Sequence, residues 1–163
     1  MEKLLVLFAI LLCISCSDST QTANKNIPIV ESYISAVENL DYNTMESLLD
    51  ESYQGFGPSF TDYTTKAEAV ESWKYNCEYL YENIKYTRNQ IAAVRIPEGP
   101  NKGDWIANWS ELRITYKSGD EATIWANTNY KIENGKIVQT YTFYNEADVY
   151  RQLGYGYVKT DVD

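Results

Sequence analysis

The sequence predicts an α+β fold in which N-terminal helices cover one face of a strongly bent antiparallel sheet. In the first half of the chain, apolar residues recur at helical spacing, whereas apolar and polar residues alternate in the second half. Turn signals at Lys117-Ser118-Gly119-Asp120 and at Asn134-Gly135 divide the alternating half into strands. Helices followed by a run of strands favour one layer of helices on one sheet.

Residues 1–15 have the features of a targeting segment. Leu4 to Leu12 form an unbroken apolar run, which is too short to span a bilayer but fits the hydrophobic region of a secretory signal peptide. Ser15 precedes Cys16, and a small residue before a cysteine at this place resembles the lipobox of bacterial lipoproteins. The resemblance implies a signal peptide over residues 1–15 and a lipid on Cys16. An ordinary secretory signal and an uncleaved membrane anchor are the alternatives.

The segment that follows has the composition of a flexible tether. Residues 16–26 are rich in Ser, Thr and Asn, as expected for a linker. A lipid on Cys16 holds a folded domain at a membrane without any spanning segment. The sequence therefore predicts an extracytoplasmic protein of the bacterial cell envelope, attached to a membrane through its lipid anchor.

The absence of histidine, the negative net charge and the small number of cysteines limit the kinds of site that the protein can contain. The chain of 163 residues contains no histidine, which removes Ser-His-Asp and Cys-His catalysis and most zinc sites. Its net charge of −9 argues against nucleic acid and against electrostatic adhesion to anionic lipid. If Cys16 is acylated and Cys13 is removed, Cys77 has no disulfide partner. We expect no cofactor, no metal and no nucleic-acid partner.

Three helices are predicted in the first half of the mature chain. The first spans about residues 28–40. The second begins at Asn43, because Asn43-Thr44-Met45-Glu46 has the pattern of a capping box. A second box, Thr65-Lys66-Ala67-Glu68, starts a helix over about residues 66–81. Glycines and a proline between Tyr53 and Tyr63 indicate a small hairpin or loop.

Four long strands and a short helix are predicted in the second half. Asn145 caps this last helix, which runs through Leu153 and ends at Gly154. The strands are Ile84 to Ile96, Trp105 to Tyr116, Glu121 to Ile132 and Ile137 to Tyr144.

Alternation along the strands separates an inner sheet face from an outer one. Glu111 and Arg113 indicate that their face is solvated, so the opposite residues are expected to face the helices. Trp105 and Trp109 share the outer face with these charges. A half-apolar face suits a homodimer interface, and a monomer that exposes one aromatic pair is the alternative.

Polar side chains on the inner face are candidate ligand-binding groups, because a buried polar group needs a hydrogen-bond partner. The alternative is that they bond each other or ordered water. Two aromatic residues on the helices are further candidates, although an apolar helical stripe is more often plain core. The candidates are Asn108, Ser110, Thr128 and Tyr130 on the strands, and Trp73 and Tyr33 on the helices.

Three segments carry a resemblance to a known family. They are Leu48-Leu49-Asp50-Glu51-Ser52-Tyr53, Thr65-Lys66-Ala67-Glu68, and Asn134-Gly135-Lys136-Ile137-Val138 with Thr142-Phe143-Tyr144-Asn145 after it. In this order they resemble the nuclear transport factor 2-like superfamily, particularly its SnoaL-like branch. The resemblance covers nearly all of residues 27–155. It implies a cone-shaped roll over residues 27–158 with a pocket at its open end, a tail over residues 159–163, and a dimer through the outer sheet face.

The resemblance leaves the function open between binding and catalysis. Catalytic relatives use a carboxylate base in an apolar pocket, but Asn145 stands where relatives often carry an acid. Asp50 and Asp62 are the remaining candidates for a base, and turn or helix-end roles are their alternative. We expect a membrane-anchored binding module for a small, largely apolar ligand or a protein partner. An isomerase or dehydratase with a pocket carboxylate and a structural envelope dimer with a filled cone are the alternatives.

Overall fold

The computed structural model describes residues 23–158. The predicted signal peptide over residues 1–15, the acylated Cys16, most of the tether and the tail over residues 159–163 lie outside the described residues. Across residues 23–158, no helix has both the length and the apolar character that a membrane crossing requires.

Four α-helices lie in this part of the chain. They are α1 (Ile27–Glu38), α2 (Tyr42–Leu48), α3 (Lys66–Tyr75) and α4 (Glu146–Gln152). The first predicted helix is confirmed in α1, whose buried Val30, Ile34 and Val37 recur at helical spacing. The last is confirmed in α4, because the Asn145 side chain accepts a hydrogen bond from Asp148 N at 3.1 Å.

The start of the second helix was predicted wrongly. The residue that caps α2 is Asp41, not Asn43. An Asp41 carboxylate oxygen accepts from Thr44 N at 3.0 Å, and the other accepts from Thr44 Oγ1 at 2.6 Å. A carboxylate is favoured here because it bonds the free N–H groups and carries negative charge at the positive end of the helix.

The third helix begins as predicted and ends differently. In its capping box, Glu68 N donates to Thr65 Oγ1 at 3.4 Å, and Thr65 N donates to Glu68 Oε2 at 2.8 Å. The α-helix stops at Tyr75, and the π-helical segment Asn76–Leu80 completes the stretch. This wider turn brings Asn76 and Leu80 to the inner side of the molecule.

A six-stranded sheet forms the other layer, in the order β2-β1-β6-β5-β4-β3. The strands are β1 (Leu49–Phe56), β2 (Tyr63–Thr65), β3 (Tyr81–Ile96), β4 (Gly103–Tyr116), β5 (Glu121–Glu133) and β6 (Lys136–Tyr144). The small hairpin is confirmed as β1 and β2, and β3 to β6 form the predicted meander.

One strand pair departs from the predicted antiparallel sheet. β1 lies parallel to β6, with Leu49 beside Ile137 and Phe56 beside Tyr141. The pairing joins strands that are far apart in sequence, so no turn signal indicates it. The sheet is therefore mixed, and the α+β class is confirmed.

The inner face of the sheet packs on the helices as the alternation predicts. Ile106 on β4, Tyr130 on β5 and Ile137 on β6 are almost fully buried, together with Val30 and Val37 of α1. The turn between β5 and β6 is also confirmed, because Asn134 and Gly135 both have positive φ, at 51° and 77°.

Candidate functional site

A large cavity lies between the inner face of the sheet and helices α1, α3 and α4. Its volume is about 630 Å³. Nine of the 15 tyrosines of the chain line it, together with Trp73, and the remaining wall is mainly aliphatic, hydroxyl and amide groups. The alternative of a purely structural dimer requires a cone that is filled by side chains. The cavity shows that the cone is not filled.

All six predicted ligand-binding residues lie in the wall of this cavity. They are Tyr33 and Trp73 on the helices, Asn108 and Ser110 on β4, and Thr128 and Tyr130 on β5. Strand alternation places the four polar residues on one face, and pairing of Asn108 with Thr128 brings β4 and β5 together there. Their role in binding a ligand stays a prediction.

The deepest part of the cavity, which we call the floor, is formed by the buried Tyr33, Tyr53, Tyr130 and Thr140. Tyr33 and Tyr130 meet edge to face with ring centroids 5.8 Å apart. The Tyr53 hydroxyl lies 2.7 Å from Thr140 Oγ1. Burial holds the pKa of Tyr33 and of Tyr130 well above the ordinary value for a phenol. These phenols therefore stay neutral and act as hydrogen-bonding groups.

Two polar residues of β4 that also line the cavity differ in their hydrogen bonds. Asn108 Nδ2 donates to Gln90 O at 3.2 Å and to Asn89 Oδ1. Both acceptors belong to the irregular part of β3, so the amide nitrogen of Asn108 already has hydrogen-bond partners. Ser110 is only 1% exposed. Its Oγ is the one buried side-chain polar atom in residues 23–158 that has no hydrogen-bond partner.

The less buried part of the cavity, which we call the rim, is formed by Tyr81, Tyr116, Tyr144, Glu146 and Tyr150. The rings of Tyr81 and Tyr116 lie 5.6 Å apart between centroids. Burial, and after it the negative charge of Glu146, raise the pKa of Tyr144 to about 12. The rim is thus aromatic and carries one carboxylate.

Glu146 was not among the predicted site residues. It is the first residue of α4, and α4 is fixed on β5 by Gln152. The Gln152 side chain accepts from Thr123 N and donates to Thr123 O, each at 2.8 Å. The only local signal was that an acid follows Asn145, because the position of Glu146 at the cavity depends on how α4 folds back.

The two predicted carboxylate candidates do not line the cavity. Asp50 Oδ1 accepts from Ser52 N at 2.9 Å and from Ser52 Oγ at 2.7 Å, and these bonds lower the pKa of Asp50. Asp62 is exposed and accepts from Ser59 N at 3.1 Å. Asp62 has the turn role that was its alternative, and Asp50 lies in β1, two residues after the end of α2. Neither is placed to take a proton from a molecule in the cavity.

The outer face is less solvated than predicted at Glu111. This residue is 8% exposed, because its carboxylate pairs with Arg113 Nη2 at 2.7 Å and with Arg88 Nε at 3.5 Å. Hydrogen bonds from Arg113 and then Thr87 lower the pKa of Glu111. A buried carboxylate is tolerated here because several donors compensate for the water that it loses.

A shallow apolar groove of about 360 Å³ lies on the outer face, and Val94, Trp105, Tyr141 and Phe143 are among the residues that line it. Trp105 is buried within it, because its Nε1 donates to Asn101 O at 2.8 Å and its ring stacks on Tyr141 at 5.9 Å. Trp109 is 47% exposed on the same face. A homodimer through this face stays a prediction.

In residues 23–158, no group of three acidic, cysteine or histidine side chains is arranged to hold a metal ion. Cys77 lies half-buried in the π-helical segment, and burial raises the pKa of its thiol.

No protein-family model matches the sequence, and no curated protein matches it. Solved structures do match. A candidate polyketide cyclase from Pseudomonas putida KT2440 has a TM-score of 0.63 at 16% identity, over 76% of this chain and 94% of that one. A candidate SnoaL-like polyketide cyclase from Shewanella denitrificans OS-217 has a TM-score of 0.63 at 10% identity, over 79% and 96%. A protein from Catenulispora acidiphila DSM 44928, with a ketosteroid isomerase-like fold and in complex with trimethylamine, has a TM-score of 0.61 at 14% identity, over 77% and 92%.

These likenesses show the fold. They confirm the predicted α+β roll, which this chain shares with solved structures described as SnoaL-like and as having a ketosteroid isomerase-like fold. Identities this low carry no activity from one protein to another, since this fold serves many functions.

Proposed function

We propose that this nuclear transport factor 2-like domain is a binding module whose cavity takes a small, largely apolar molecule with one hydrogen-bonding group. The observation that carries the proposal is the Ser110 hydroxyl, which lies buried in the cavity wall without a partner among the described residues. Rings and aliphatic groups around it supply a mainly apolar contact surface.

The energetics favour an occupant that bonds to Ser110. A buried hydroxyl without a partner costs about 1–3 kcal/mol, and buried polar groups in native proteins are nearly always paired. The hydroxyls of Tyr53 and Thr140, which also line the cavity, are paired with each other. A polar atom of a bound molecule, placed within reach of Ser110 Oγ, offsets this cost.

A neighbour of the same fold supports a small-molecule occupant. The Catenulispora acidiphila protein is in complex with trimethylamine. We infer by analogy that the present cavity also encloses a small molecule, and the analogy rests on the fold alone.

Catalysis is the second candidate, and Glu146 is the observation that favours it. Among residues 23–158 it is the only carboxylate in the cavity wall, so an isomerase or dehydratase would take its base there and not at Asp50 or Asp62. In that case, Glu146→Gln abolishes turnover of a bound carbon acid. The binding proposal needs no turnover at all.

The binding proposal is tested with N-phenyl-1-naphthylamine, an apolar probe with a single N–H group. We expect saturable fluorescence enhancement with the purified protein. Ser110→Ala should weaken probe binding about two- to tenfold, which corresponds to one hydrogen bond. Ser110→Phe should abolish binding, because the larger side chain fills the cavity next to β4. The matched control is Ser59→Ala, which changes an exposed serine outside the cavity.

The stability of the unliganded protein provides a second readout. Ser110→Ala should leave its free energy of unfolding unchanged or raise it, because the variant removes an unpaired buried hydroxyl. The proposal fails if Ser110→Phe binds the probe as tightly as the unaltered protein does.

We also propose that the domain is lipid-anchored at Cys16 on the extracytoplasmic side of a bacterial membrane. The proposal is supported by the apolar run before Ser15-Cys16 and by the polar stretch after it. In a bacterial host fed an alkyne-tagged fatty acid, we expect labelling of the protein and of its Cys13→Ala variant, and no labelling of Cys16→Ala. Equal labelling of Cys16→Ala contradicts the proposal.

A further inference from the structure

The charge of the cavity wall has one sign. In the described part of the chain, Glu146 is the only Asp, Glu, Lys or Arg that lines the cavity. The other lining residues are apolar residues, tyrosines, and residues with hydroxyl or amide side chains. An occupant with a carboxylate or phosphate therefore meets no cationic side chain among residues 23–158 of the wall.

The Glu146 carboxylate has no ionic partner within the described range. No Lys or Arg of residues 23–158 lies within ion-pair distance of it. In the same helix, Arg151 is already paired with Asp148. Asp62 adds a second negative charge close enough to raise the pKa of Tyr144. The negative charge at the rim is thus not neutralised by the described part of the chain.

Aromatic rings line the same cavity as this carboxylate, and Tyr144 lies close enough to it for its negative charge to raise the pKa of the phenol. Tyr81 and Tyr116 lie 5.6 Å apart between ring centroids, and Tyr150 lies 6.0 Å from the exposed Tyr155, which also lines the cavity. The face of an aromatic ring carries negative charge and attracts an alkylammonium group, most strongly where water is displaced. A cavity that is lined by tyrosine rings and by one unpaired carboxylate has the groups that recognise an organic cation.

We propose that the molecule bound in the cavity is an organic cation, with its tertiary or quaternary ammonium at the rim beside Glu146 and its apolar part directed towards the floor. This inference rests on the proposed binding function and adds the chemical class of the ligand. A quaternary ammonium suits the rim because it needs no hydrogen-bond acceptors, and contact with ring faces and a nearby carboxylate replaces its hydration.

The test compares two probes of the same shape and different charge, choline and 3,3-dimethylbutan-1-ol. Binding is measured by titrating the amide NMR signals of the purified protein. We expect choline to bind about tenfold more tightly than the neutral alcohol, because only choline gains from the rings and the carboxylate. The signals that shift should belong to the rim.

Variants at the rim separate charge from shape. Glu146→Gln should weaken choline binding about fivefold and leave the alcohol unaffected. Tyr144→Phe, which keeps the ring face, should bind choline as before, whereas Tyr144→Leu should weaken it. The matched control is Glu71→Gln, which removes the same charge from an exposed site on α3 outside the cavity.

The outcomes are distinguishable. If both probes bind with equal affinity, or if Glu146→Gln and Glu71→Gln act alike on choline, the cavity binds small molecules as proposed above and the cation inference alone is overturned. If neither probe shifts any rim signal, the inference is overturned as well, and the N-phenyl-1-naphthylamine titration then decides the proposed function separately.

Discussion

Replacing Gly57 with alanine is expected to cost at least about 3 kcal/mol of the free energy of unfolding, because backbone strain and a backbone clash add together. Gly57 has φ of +100°, which L side chains rarely adopt. A Cβ added to it would lie 2.0 Å from Thr142 O on β6. That oxygen belongs to the main chain of a central strand, so it cannot move aside cheaply. Urea unfolding followed by circular dichroism measures the loss.

Gly119→Ala is the matched control for this prediction. Gly119 also has positive φ, at +91°, but nothing lies within 4 Å of an added Cβ. Gly119→Ala should therefore lower the free energy of unfolding only by the cost of a left-handed backbone conformation, about 1–2 kcal/mol. The difference between the two variants measures the close approach of the β1–β2 loop to β6. Equal losses of unfolding free energy in the two variants would show that Gly57 does not lie this close to Thr142 O in solution.

Trp105→Ala is expected to cost about 3–5 kcal/mol, the usual range for truncating a buried large aromatic residue. Trp105 lies on the outer face but is only 5% exposed. Its ring stacks on Tyr141, and its Nε1 donates to Asn101 O at 2.8 Å. The substitution removes both contacts and frees the loop between β3 and β4 from the sheet. Thermal and urea unfolding should both report the loss.

The control is a second tryptophan on the same face. Trp125 is 65% exposed, and the guanidinium carbon of Arg88 lies 5.8 Å from its ring centroid. Trp125→Ala should cost at most about 1 kcal/mol, since an exposed cation–π contact contributes about 0.5–1 kcal/mol. A loss for Trp125→Ala as large as that for Trp105→Ala would contradict the burial of Trp105 described above.

Features that depend on neighbouring residues were predictable from the sequence. The capping box of Thr65 and Glu68 and the Asn134-Gly135 turn are set by the dihedral angles and hydrogen bonds of a few consecutive residues. Strand alternation is local as well, and it predicts that Asn108, Ser110, Thr128 and Tyr130 share one face without reference to the order of the strands. The α2 cap was missed because Asp41 and Asn43 are both strong capping residues, and sequence pattern alone does not rank them.

The arrangement of the site was decided by contacts between distant segments. The parallel pairing of β1 with β6 joins residues more than 80 positions apart, and no turn between them sets it. Glu146 reaches the cavity only because α4 folds back onto β5 through Gln152. Alternation alone predicts that Glu111 is exposed. It is buried, and one of its ionic partners is Arg88 from the irregular part of β3.

The sequence by itself thus determined the class of the fold, most of the elements and the inner face of the sheet. It did so because backbone geometry and side-chain periodicity are set within a few residues. Only the tertiary structure decided which groups meet at the cavity. Within residues 23–158, Asp50 and Asp62 lie outside it, the Ser110 hydroxyl has no hydrogen-bond partner, and Glu146 lines it together with nine tyrosines. The physical reason is that burial and hydrogen-bond partnership depend on chain segments that come together only when the whole domain packs.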